Sequence, residues 1–152
     1  MSPFYLFSIG RIPVSMSPWY LLLLAMFTWR YVTVDPVYAL LLVLAISLGL
    51  LTHEFGHALV ARYFDLQPHI VLTGWGGVTA HQPEHKPLRE ALITAAGPAA
   101  GGLLGLVCLG LSVVVALAGI PGALGSYLLV FLGLSASLNL LWSFINLLPI
   151  HP

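Results

Sequence analysis

Four long apolar stretches, at about residues 18–33, 37–64, 88–117 and 123–148, leave this chain few ways to fold in water. A helix crosses the roughly 30 Å hydrocarbon core of a bilayer with about 20 predominantly apolar residues. Such a helix pairs its backbone polar groups internally, which is the condition lipid imposes. Composition agrees. Of 152 residues, 59% are hydrophobic and 7% are charged, against about 25% charged in a soluble domain. The sequence therefore predicts an all-α membrane protein with four transmembrane helices. The first stretch is short and the third long, so tilt or partial burial is expected. Trp19, Tyr20, Trp29 and Tyr31 cluster at the two ends of the first, as interfacial aromatic residues do.

Two segments do not fit this pattern. The N-terminal arm 1–17 holds Gly10 and Pro13, and the loop 65–87 contains a run rich in β-formers and glycine, Pro68–Ala80. The second predicts a small membrane-associated β-hairpin or sheet, with the arm as its possible strand partner. Arg11 ahead of Trp19–Phe27 superficially resembles a signal peptide, but Pro13 and Pro18 interrupt the region, so it is read as mature protein. Residues 1–152 form one unit. Cys108 stands alone and can form no internal disulfide.

Charge placement gives an orientation. With four spans, Arg11, Arg62, Lys86 and Arg89 fall on or near one side and only Arg30 near the other. The positive-inside rule then predicts a multi-pass protein of the cell membrane with both termini cytoplasmic. Zero net charge with neutral histidines gives no reason to expect a nucleic-acid partner. The expected partners are membrane lipids and whatever the apolar region recognises.

The second stretch carries the chemistry. His53 and His57 lie four residues apart, so a helix places them on one face. Two imidazoles one turn apart can share one Zn²⁺ ion. Glu54 lies beside the first, where its carboxylate can act as general base toward water activated by the metal. Gly56 is expected to keep the helix face open at the metal. Ionisable side chains in an apolar helix are costly and mark function by default. Helix rise from Val37 puts the motif roughly 8–12 Å inside the cytoplasmic face. Asp65, His69, His81, Glu84, His85, Glu90 and His151 are the downstream candidates for a third ligand. The loop members among them are expected to be solvated, and His151 follows the fourth helix.

Four motifs in order support a resemblance. His53-Glu54-Phe55-Gly56-His57-Ala58, Gly74-Trp75-Gly76-Gly77, Gly97-Pro98-Ala99-Ala100-Gly101 and Asn146-Leu147-Leu148-Pro149-Ile150-His151-Pro152 together resemble the site-2 protease family of intramembrane zinc metalloproteases. The similarity is to the short bacterial or archaeal type without an inserted PDZ domain. It implies a zinc endopeptidase that cuts a transmembrane segment of a membrane-protein substrate in regulated intramembrane proteolysis. Glu54 would be the catalytic base, and His53 and His57 the metal ligands. The family's third ligand is the Asp of a Leu-Asp-Gly motif, which would follow directly on Pro152, so the resemblance implies a chain truncated just before it. Asn146 is a candidate to bind substrate backbone or an oxyanion. Gly77 is the second substrate-binding candidate, at the start of a segment, 77–80, which like 70–73 can pair with an extended peptide. The alternative is an inactive or truncated relative that binds membrane partners. A metal transporter would need further intramembrane carboxylates or histidines along a path, which the apolar stretches do not supply.

Overall fold

The computed structural model describes residues 2–148. Pro149, Ile150, His151 and Pro152, the end of the fourth motif, lie outside the described residues. Eight elements follow in order: β1 Phe4–Ile9, β2 Ile12–Met16, α1 Pro18–Val32, α2 Pro36–Tyr63, β3 His69–Thr73, β4 Gly76–Ala80, α3 Pro87–Ala118 and α4 Gly122–Leu147. Prolines open three of the helices, at Pro18, Pro36 and Pro87. A proline fits the first helical position because its missing N–H would be unpaired there in any case. Ser17 and Asp35 cap α1 and α2 by accepting hydrogen bonds from the Trp19 and Tyr38 amides. Gly119, at φ 62°, ends α3 in the left-handed conformation that glycine tolerates.

Three helices, α2, α3 and α4, are long and apolar enough to cross a membrane. The expectation of four spanning helices meets a difference at α1. Its 15 residues rise only about 22 Å. The remaining depth beside α2 is taken by the sheet. α1 runs back along α2 through a three-residue connection and packs on its first half, where the Tyr20 hydroxyl pairs with Ser47 at 2.8 Å. The second half of α2 meets the strands instead. Ile12, Val14, Ile70 and Leu72 of the sheet close one core with Ala58 of α2 and Tyr20 of α1, and Leu51 and Phe55 pack against it.

The arm and the loop do pair. The strand order is β1-β2-β3-β4, with β2 and β3 parallel and the other two pairs antiparallel. Parallel neighbours need a crossover, and here the α1–α2 pair supplies it. Gly10 and Arg11, both at positive φ, make the two-residue turn between β1 and β2. β1 is exposed along its whole length, while β3 and β4 lie against α2. α3 and α4 form the most extensive helix pair and pack on the remaining faces of α2. The loop into α3 is pinned at two points. Glu84 accepts from the His85 and Lys86 amides and pairs with Arg89 at 3.5 Å, and Arg89 lies over the Phe64 ring.

Candidate active site

The helical spacing of α2 brings His53 and His57 together as expected. Their Nε2 atoms are 3.1 Å apart, and His53 and Glu54 are both buried at 5% exposure in an otherwise apolar helix. His57 is fixed from α3. Its Nδ1 is 2.7 Å from the Ile93 carbonyl oxygen. A carbonyl only accepts, so Nδ1 carries the hydrogen and Nε2 presents a bare lone pair. Gly97 makes room for this ring, because a Cβ there would meet His57 Nε2 and lie 2.6 Å from Cδ2.

Glu54 is held from the sheet. Thr79 Oγ1 lies 2.7 Å from Glu54 Oε2 and 3.0 Å from the Glu54 carbonyl oxygen. Gly77, two residues earlier on the same face of β4, abuts the carboxylate. A Cβ at Gly77 would come within 2.6 Å of Glu54 Oε1. The glycine of the fourth-strand motif thus sets how closely a strand can approach the acid. Gly56 does something different from the expectation. It faces α3 and does not line the cleft: a Cβ added there would meet the Ala96 carbonyl and lie 2.9 Å from Ala100 Cβ. Its role is close helix packing, because one residue before His57 on a helix is about 100° around the axis.

His53, Glu54, His57, Gly77 and Thr79 line one cleft of about 340 Å³ that also holds Thr94, Trp142 and Asn146. Asn146 is exposed, with its Nδ2 donating to the Trp142 carbonyl at 2.8 Å. His81 and Glu90 line the same cleft; Glu90 is solvent-exposed as expected, but it lies in the first turn of α3 rather than in the loop. Of the other third-ligand candidates, Asp65, His69, Glu84 and His85 do not line this cleft, and His151 lies outside the described residues. A larger apolar groove of about 950 Å³ runs between α1 and α4 over α2 and shares Leu50, Trp75 and Trp142 with the cleft.

The donor set fits zinc as far as it goes. Adjacent ligands of a tetrahedral zinc at about 2.0–2.1 Å are about 3.3 Å apart, close to the separation of the two Nε2 atoms. Among the described residues, no group of three or more His, Cys, Asp or Glu side chains is arranged to hold a metal ion. Sequence reasoning missed Thr79 and the Ile93 carbonyl. The alternation of Gly77 and Thr79 on one strand face was the available signal for the first. A backbone acceptor carries none.

No protein-family model matches the chain, and no curated protein matches it. Among solved structures it is similar to the site-2 protease from Methanocaldococcus jannaschii, at 25% sequence identity and a TM-score of 0.72, over 99% of this chain and 67% of that one.

Proposed function

We propose that this chain, which shares the fold of a site-2 protease, is an intramembrane zinc endopeptidase that cuts a transmembrane segment of another membrane protein. The observation that carries the reading is the pair of Nε2 atoms 3.1 Å apart with the Glu54 carboxylate in the same cleft. His53 and His57 are the metal ligands present, and Glu54 is the base. Zinc in such a site supplies Lewis acidity, which polarises a peptide carbonyl and makes water acidic enough to yield a nucleophile near neutral pH.

The chain's own residues account for the proton. Thr79 has one hydroxyl hydrogen and two acceptors within reach, Oε2 and the backbone oxygen of Glu54. With Glu54 ionised, Thr79 donates to Oε2. Once Glu54 has taken a proton at Oε2, it donates to Thr79 Oγ1, which turns to donate to the backbone oxygen. Both states of the carboxyl are therefore paired, as a base that later acts as acid requires.

Of the two strands with edge-pairing potential, β3 is internal and β4 is at the sheet edge. Of the sheet's two edge strands, β1 and β4, only β4 lies beside Glu54, so an extended peptide added there would meet the acid. Gly77 lets that edge lie directly against the Glu54 carboxylate, and Asn146 offers a further polar group lining the cleft. The apolar groove between α1 and α4 suits the approach of an apolar helix, and the shared Trp75 and Trp142 lie where it would meet the cleft. The orientation proposed from charge, with both termini cytoplasmic, puts the cut near the cytoplasmic face.

Glu54→Gln tests the reading. Cleavage of a reconstituted transmembrane substrate should cease while zinc content is unchanged. Continued cleavage would remove Glu54 from the mechanism. A second reading, a relative that binds membrane partners without cutting them, is favoured by the count of two ligands among the described residues. Sub-stoichiometric zinc and no cleavage in the full-length protein would select it.

A further inference from the structure

α4 carries polar residues at one helical spacing on an otherwise apolar surface: Ser135, Asn139, Ser143 and Asn146. Asn146 is at the cleft. The other three are buried against the neighbouring helices, at 0%, 4% and 6% exposure. The backbone carbonyl at Ser135 accepts from Asn139 Nδ2 at 2.8 Å. A carbonyl can only accept, so the amide orientation is fixed and Oδ1 is the free acceptor. Among the described residues three buried side-chain polar atoms have no hydrogen-bond partner, Ser135 Oγ and, closer to the cleft, His53 Nδ1 and Ser143 Oγ. The last two and Asn139 Oδ1 converge on one gap. From the point where a Gly101 side chain would begin, Ser143 Oγ is 2.8 Å away, and His53 Nδ1 and Asn139 Oδ1 are each 3.7 Å away.

We propose that Ser143, backed by Asn139, is the positioning residue for His53, through a window that Gly101 leaves open between α2 and α4. The inference rests on the proposed metal-ligand role of His53 but concerns a different part of the molecule. A buried imidazole nitrogen and a buried hydroxyl are both costly without partners. Turning the Ser143 side chain toward His53 across the gap at Gly101 would give each a partner. When His53 Nε2 holds a metal, the ring hydrogen is on Nδ1. Ser143 Oγ then accepts from Nδ1 and donates its own hydrogen to Asn139 Oδ1. Without a metal, His53 Nε2–H donates to the bare Nε2 of His57 at 3.1 Å, and Ser143 donates to Nδ1. The ring is neutral in both states; it loses the hydrogen on one nitrogen and gains one on the other. His57 is different, because the Ile93 carbonyl allows only one tautomer. One imidazole of the pair is locked and the other is held by a group able to serve either form.

The test is Ser143→Ala in the full-length protein, with Ser143→Thr as the variant that keeps the hydroxyl and Ser137→Ala, on the exposed face of α4, as control. Loss of an outer partner of a metal-binding histidine weakens metal affinity about 10- to 100-fold. Chelator competition should show that loss in Ser143→Ala, recovery in Ser143→Thr and none in Ser137→Ala. The ¹⁵N resonance of His53 Nδ1 supplies a reading that needs no metal. Ser143→Ala should move it in the metal-free protein and leave His57 Nδ1 in place. An unmoved His53 signal, or zinc affinity within twofold of the parent, overturns the relay. If the parent binds no zinc while the nitrogen signal moves as expected, the protease reading fails and the relay stands.

Discussion

Gly97→Ala is the sharpest single test of how the site is built. The added methyl would meet His57 Nε2 and lie 2.6 Å from Cδ2, where carbon atoms rest at about 3.5–4.0 Å. The imidazole must therefore retreat by about 1 Å or more. It cannot do so and keep its 2.7 Å bond to the Ile93 carbonyl. Loss of an outer partner that orients a metal-binding histidine weakens metal affinity about 10- to 100-fold, and overpacking a tight helix contact costs about 1–3 kcal/mol of folding stability besides. Zinc binding in Gly97→Ala should therefore weaken about 10- to 100-fold. The assay is chelator competition on purified protein in micelles, with circular dichroism to show that helix content is kept. Gly110→Ala is the matched control, since nothing lies within 4 Å of its added methyl. Wild-type zinc affinity in Gly97→Ala would refute the assignment of His57 as a ligand held from α3.

Two further predictions concern the groups around the cleft. Thr79→Val removes the hydroxyl that serves Glu54; at about 1–3 kcal/mol for an orphaned partner, cleavage should fall about 5- to 150-fold while Thr79→Ser retains it, and an unchanged rate in the valine variant would show that Glu54 needs no partner from β4. At the loop into α3, the Lys86 and His85 backbone N–H groups hold the Glu84 carboxyl below the usual carboxylate range. A lowered folded value stabilises above the unfolded pKa of about 4.3 and is lost as pH falls through the folded one. The amides of His85 and Lys86 should therefore be better protected from exchange than in Glu84→Gln at pH 6, and the difference should vanish in acid; equal protection at pH 6 would refute the anchor.

The helices were legible because their signals are local. Proline at the first helical position and apolar runs set starts at Pro18, Pro36 and Pro87 within one residue of expectation. The His53–Glu54–His57 cluster was legible for the same reason, since four residues on a helix make neighbours without any tertiary information. What the sequence hid is non-local. The parallel β2–β3 seam joins Val14 to Ile70, and no periodicity reports a pairing across a whole helical hairpin. The shortness of α1 follows from that seam, which fills the depth a fourth span was expected to cover. Gly56 was misplaced because its neighbour in space, the Ala96 carbonyl, comes from another helix. Thr79, Asn139 and Ser143 escaped because each works with a residue far away in the chain.

The seam also changes what the amino-terminal arm is. β2 lies between β1 and β3, and Ile12 and Val14 are among the most deeply buried side chains in the molecule. Shortening the arm through Met16 would therefore strip two of the four strands and replace the sheet border on β1 with a newly bared one on β3. A peptide pairing there would lie against β3, one strand away from the edge that adjoins the acid. A tag or fusion joined ahead of Phe4 loads that same pair of strands, so the beginning of this chain is mechanically part of the sheet that carries Thr79 and Gly77 to Glu54.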